Sequence, residues 1–201
     1  MKWEFQRERS VLLVIDMQND FVQEGAILEV AEARKQIPRI RELIDKCHEL
    51  AVPVIYTIHE LDPAICALEV AAFPKLKETG MRKGTKGIQI VDELTPAPGD
   101  TIIRKHRFSA FYQTELELIL RNIRGSDNPA DTVIICGTMT NICCESTARD
   151  AFFRDYKVVF GTDINATKTQ ESQNATLVNM ELFGRNMDCS SIIAALEKGK
   201  G

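Results

Sequence analysis

The sequence predicts an α/β fold: a three-layer α/β/α sandwich on a mostly parallel, doubly wound six-stranded sheet. Three observations point there. Short β-branched and apolar runs alternate with stretches of helical periodicity along most of the chain. Several runs are continuous, as strands buried on both faces require. Polar residues follow directly after some of them, and α/β sheets bind their ligands at the carboxyl ends of strands.

The first run, Val11-Leu12-Leu13-Val14-Ile15, ends in Asp16 and reads as a buried parallel strand. Residues 31–50 read as a helix, with Ile37, Ile40, Leu43, Ile44 and Cys47 on one stripe. Pro38 points to a helix start near it, because proline is tolerated in a first turn. Residues 52–58 form a second strand. Residues 62–99 are irregular and hold Pro63, Pro74, Pro96 and Pro98 with four glycines. This lid-like excursion reads equally as a functional lid or as a surface connection.

Strand character returns at Thr101-Ile102-Ile103. A helix follows over 114–121, with Leu116, Ile119 and Leu120 on one side. After a loop, Thr132 to Gly137 is a clear strand, 142–154 a helix and 157–160 a strand. A helix over 171–183 and a short strand-helix unit through Leu196 complete the pattern. The 201 residues suffice for one full core, so residues 1–201 are read as a single domain.

Composition narrows the function classes. The 25 basic and 29 acidic residues leave a net charge of −4, so no nucleic-acid partner is expected. No apolar run approaches the ~18 residues that cross a bilayer, so no membrane partner is expected either. The opening MKWEFQRERS lacks the apolar stretch of a secretory leader. Cys47, Cys66, Cys136, Cys143, Cys144 and Cys189 contain no C-x-x-C pair. The expectation is a cytoplasmic protein with reduced thiols.

Three strand ends carry candidate chemistry. Asp16 opens Asp16-Met17-Gln18-Asn19-Asp20-Phe21. Burial there would suit it to proton transfer, or it simply caps a turn. Lys105 ends the 101–103 strand region, either aimed into a cleft or exposed like most lysines. Cys143 follows Gly137-Thr138-Met139-Thr140-Asn141-Ile142. Thr140 or Asn141 can cap the next helix, whose first turn would favour a Cys143 thiolate. The alternative is a cysteine packed as a small hydrophobe.

Together these segments resemble the isochorismatase-like cysteine hydrolases, a family that includes nicotinamidases and N-carbamoylsarcosine, biuret and ureidoacrylate amidohydrolases. The resemblance rests on D-x-Q-N-D-F at Asp16, G-T-x-G at Gly84, P-x-P-G-D at Pro96, K-x-R-F-S-A-F at Lys105 and G-x-x-T-N-x-C at Gly137. It covers nearly the whole chain.

The resemblance implies a catalytic triad of Asp16, Lys105 and Cys143. It implies a cis Thr138–Met139 peptide and an oxyanion hole from the N–H groups of Met139 and Cys143. Phe21 matches a family pocket residue, and Phe111 is expected to join it. The family usually has a small or branched apolar residue after the cysteine, where this chain has Cys144. The implied activity is thioester-mediated hydrolysis of a small amide, ureido or carbamoyl compound. Vinyl-ether hydrolysis of isochorismate type is the alternative enzyme reading, and an idle binding or redox protein is the non-enzyme one. A homo-oligomer, dimer or tetramer, is expected from relatives.

No metal or other cofactor is expected. Nicotinamidase-type relatives bind a metal with an Asp-x-His element and further histidines. Here Thr57 takes the Asp position before His59, and the chain has only 3 histidines. His59 is then a pocket or locally bonded residue. His106 and Arg107 could recognise a substrate carboxylate, or Arg107 could serve a structural ion pair. His48 is read as a surface residue.

Overall fold

In a computed structural model, Trp3, residues 6–125 and residues 127–199 are described. Six strands form one sheet: β1 (Ser10–Ile15), β2 (Val54–His59), β3 (Thr101–Lys105), β4 (Thr132–Thr138), β5 (Lys157–Ala166) and β6 (Arg185–Met187). Their order is β3-β2-β1-β4-β5-β6, and every pairing is parallel. The order reverses between β1 and β4, which opens a crevice at their carboxyl ends.

The helices are α1 (Asn19–Val22), α2 (Ala31–Glu49), α3 (Ala67–Ala72), α4 (Leu116–Asn122), α5 (Glu145–Phe152), α6 (Gln170–Phe183) and α7 (Cys189–Lys198). Strand alternation divides the core into two. Leu12, Val14, Ile134 and Cys136 face α2 and α7 through Ile40, Leu43, Ile44 and Ile192. Val11, Leu13, Ile15, Val133 and Ile135 face α4 and α5 through Leu116, Leu120 and Ala148. All five apolar β1 side chains are fully buried, each worth about 1.5–3 kcal/mol relative to exposure. Both faces of the strand are therefore used, which is why its sequence does not alternate. Among the described residues, no helix is long and apolar enough to cross a membrane.

Several local expectations change. Helix α2 starts at Ala31 and includes Pro38 in its interior. Pro38 is exposed, so the Arg34 carbonyl that loses its amide partner lies toward solvent. Strand β5 continues to Ala166, well past Phe160. A register shift against β4 lies between Ile135 and Gly137, and the Asn165 amide spans it by donating to the carbonyls of Ile135 and Gly161. That side chain satisfies carbonyls the irregular ladder leaves open.

Gly137 is required by geometry. Its φ is +123°, and an added Cβ would sit 2.0 Å from the Ile15 carbonyl oxygen. Gly137→Ala should cost more than about 2 kcal/mol, read as a fall in melting temperature. An unchanged melting curve would contradict this packing.

The polar residues that follow Asp16 tie the excursion down. Gln18 donates to the carbonyls of His59 and Ile88 and accepts the His59 N–H. Asn19 donates to the Lys86 carbonyl, and the Asp20 carboxylate accepts the Met81 N–H. A Cβ on Gly87 would meet that carboxylate at 2.2 Å. The P-x-P-G-D segment is a turn, where Asp100 accepts the Ala97 N–H and pairs with His48 at 2.9 Å.

Candidate active site

Asp16, Lys105 and Cys143 come from three separate strand ends and meet at the crevice. Asp16 follows β1 with φ +47°, a left-handed conformation that aspartate tolerates better than most residues. It is fully buried. The Thr57 hydroxyl donates to Asp16 Oδ1 at 2.6 Å and accepts the Asp16 N–H at 3.1 Å. The Thr138 hydroxyl donates to the Asp16 carbonyl at 2.8 Å. Neighbouring strands thus fix both the backbone and the carboxylate.

Lys105 ends β3, two strands away from β1, and only a long side chain spans that distance. It is also fully buried. Its Nζ lies 2.7 Å from Asp16 Oδ2 and donates to the Arg107 carbonyl at 3.1 Å. Burial alone would lower its pKa, but pairing with the Asp16 carboxylate and contact with Cys143 outweigh this and leave it raised. The surface-lysine alternative is excluded.

Cys143 lies beyond β4. The Thr138–Met139 peptide is cis. The chain then makes a π-helical turn over Thr140–Cys144, with the Cys144 N–H donating to the Met139 carbonyl, before α5 begins at Glu145. Neither Thr140 nor Asn141 caps the helix. The Thr140 hydroxyl donates to Gln173 Oε1, and Asn141 Oδ1 accepts from Thr167. These bonds pin the turn to α6 and to the end of β5.

The thiol environment also differs from expectation. Burial pushes the Cys143 pKa up, Lys105 opposes this, and Asp16 adds to the rise. The resting group is a neutral thiol, because desolvation outweighs the helix start. Cys144 is fully buried in the core, whereas Cys143 lines a cavity. Adjacent positions on a helical turn point in different directions, so one thiol faces the cavity and the other faces the core.

That cavity has a volume of about 230 Å³. Phe21 lines it, as do Phe108, Met139 and Ile142. Phe111 does not. It packs beside Tyr156 at 5.8 Å between ring centres, under the Arg154 guanidinium. Both rings pack on the α4/α5 side of the sheet, where the turn after β3 brings Phe108 to the cavity and Phe111 beside Tyr156. The excursion supplies Glu69, Phe73, Leu76 and Met81 as cavity wall. Sequence reasoning missed these residues, because an irregular segment carries no periodicity to mark an inward face.

His59 ends β2 and lines the cavity. Its Nδ1 is 3.9 Å from Cys143 Sγ, and its ring meets Phe108 in a T-shaped contact. Nε2 lies 3.1 Å from Glu69 Oε1, but off the line of a good hydrogen bond. Burial and the Lys105 charge lower its pKa, so the imidazole is neutral. His106 and Arg107 are spent on structure. His106 Nδ1 is 2.8 Å from the Glu60 carbonyl, and Arg107 donates to the carbonyls of Ile65 and His106.

The residues present do not fit a metal site of the Asp-x-His kind. Thr57 is committed to Asp16, and His48 and His106 bond elsewhere. Donor atoms of Asp16, His59 and Cys143 do lie within 4.8 Å of one another. A cation among them would displace or repel the Lys105 ammonium already seated on Asp16.

A sequence model of the isochorismatase domain matches residues 10–191. Nicotinamidase 3 of Arabidopsis thaliana is 32% identical over 191 residues, covering 93% of this chain and 88% of its own. A ureidoacrylate amidohydrolase of Cronobacter sakazakii is 32% identical over 219 residues, covering 96% and 90%. The crystal structure of a cysteine hydrolase from Pseudomonas syringae superposes with a TM-score of 0.90 at 27% identity, over 98% of this chain and 96% of that one. The family model spans the chain from β1 into α7, and this chain belongs to the isochorismatase family.

Proposed function

We propose that this single-domain protein hydrolyses a small amide, ureido or carbamoyl compound through a thioester on Cys143. One observation carries the reading: Asp16, Lys105 and Cys143 converge from three strand ends beside one cavity. The names of the amidohydrolase relatives support a C–N bond as the target.

Asp16 takes the thiol proton, and Lys105 balances the negative charge as it moves onto sulfur. Sulfur attacks the carbonyl carbon. The N–H groups of Met139 and Cys143 receive the developing oxyanion. The C–N bond breaks, and the leaving nitrogen takes the proton from Asp16. Water then gives a proton to Asp16 and attacks the thioester. The acid departs, and the proton returns to sulfur. The sum is amide plus water giving acid plus amine or ammonia. No step requires a metal.

Cleavage of a vinyl ether needs no thiol, so the cavity position of Cys143 favours amide chemistry over it. A redox role for the Cys143-Cys144 pair loses support because Cys144 faces the core. A small molecule is the expected ligand, and a dimer or tetramer the expected assembly.

The test is an ammonia-release screen of simple amides, with and without a metal chelator, followed by rapid quench and intact-mass analysis. Turnover that survives chelation, with an acyl adduct on Cys143, is the expected result. Ammonia release without any adduct, or activity lost to chelator and restored by a metal, would overturn the mechanism.

A further inference from the structure

The cavity beside Cys143 is apolar nearly all round, and its buried polar wall has one sign. Glu69 on α3 is nine-tenths buried, with 10% of its side chain exposed. Among the described residues, it forms no ion pair with a lysine or arginine. Among the described residues its ion-pair contact is His59, which is held neutral and therefore does not cancel the carboxylate charge. His59 Nε2, itself buried, has no aligned hydrogen-bond partner. Lys168, which also lines the cavity, is exposed to solvent, where its field is screened.

A carboxylate desolvated in an apolar pocket is costly unless something donates to it. Among the described residues, the donor that faces the Glu69 carboxylate is the misaligned His59 Nε2. The complement is therefore a ligand with an N–H donor, best of all a cationic one. A carboxylate on the ligand would instead be brought against Glu69 in a low-dielectric space, where like charges repel strongly.

We infer that Glu69, backed by His59, is the specificity-determining wall of the pocket, and that the substrate is an apolar amide bearing a cationic or N–H donor group remote from the scissile bond. Acyl groups carrying a carboxylate are rejected. This rests on reading the cavity as the acyl pocket of the proposed hydrolase. It goes further by assigning a charge preference that separates this chain from any relative acting on an acidic amide.

A matched charge series tests it: meta-aminomethyl, meta-methyl and meta-carboxy benzamide. In the wild-type protein, kcat/KM should fall in that order, with at least about tenfold between the two extremes. Glu69→Gln keeps the side-chain shape and should shrink the ratio of cationic to anionic substrate by about tenfold, mainly through KM. A merely structural role for Glu69 would lower all three values together.

Calorimetric binding of the same compounds to Cys143→Ala reads the preference without chemistry. Binding in the expected order with no turnover in the wild type would sink the hydrolase reading and sustain the pocket. Carboxybenzamide bound or hydrolysed as well as the aminomethyl compound would overturn the inference. So would an unchanged ratio in Glu69→Gln, or no binding of the series at all.

Discussion

Cys143→Ala should lower kcat/KM by at least about 10⁴-fold, whereas Cys144→Ala should stay within about tenfold of wild type. The two thiols are neighbours in sequence, yet only Cys143 borders the cavity. Removing its sulfur removes the atom that forms the covalent intermediate. Cys144 is wholly buried among apolar residues. Its truncation leaves a small void costing about 1 kcal/mol, visible in a melting curve rather than in turnover. Cys143→Ser should be nearly as inactive as the alanine variant. A hydroxyl is harder to deprotonate than a thiol, and this site already resists charge on the Cys143 side chain through burial. Ammonia-release kinetics on the three variants check the prediction. Full activity in Cys143→Ala would end the thiol mechanism.

The second large effect concerns Asp16 and Lys105 as a unit. Each single change, Asp16→Asn or Lys105→Met, should cut kcat/KM by at least about 10³-fold. Each also leaves the opposite charge buried without its partner, at a cost of about 3–5 kcal/mol in stability. The double variant Asp16→Asn/Lys105→Met removes both charges. It should recover much of the lost melting temperature and none of the lost activity. Non-additive stability with persistent inactivity is the signature of a buried pair that serves chemistry. A double variant with wild-type turnover would remove both residues from the mechanism. Because Lys105 has a raised pKa, the pair's contribution to stability is intact at neutral pH. On the alkaline side it is lost as rising pH deprotonates the lysine in the fold.

Much of this site is legible in the amino-acid sequence. The D-x-Q-N-D-F, Lys105 and G-x-x-T-N-x-C segments sit after apolar runs, and the fold brings their reactive groups to one place. What resists reading is the company these groups keep. Phe108 and Phe111 are three residues apart in a turn without regular periodicity, so sequence cannot tell which ring enters the cavity. Thr140 and Asn141 look like helix caps because their side chains suit that role. They bond to Gln173 and Thr167 instead, partners more than 25 residues away.

By itself the sequence determined the layer architecture and the order of strands and helices. Burial on both sheet faces imposes continuous apolar runs, and helix packing imposes a stripe; both are local patterns with short periods. It also placed Asp16, Lys105 and Cys143 at strand ends, since a motif is a local pattern too. Tertiary structure alone decided which thiol meets the cavity and that Thr57 is committed to Asp16. It alone brought the excursion round to set Glu69 beside His59. It also set the protonation of Cys143, against what a helix start alone would favour. Those outcomes depend on distances between segments far apart in the chain and on the loss of water when they close together. Desolvation is a property of the assembled interior, and no stretch of sequence carries it.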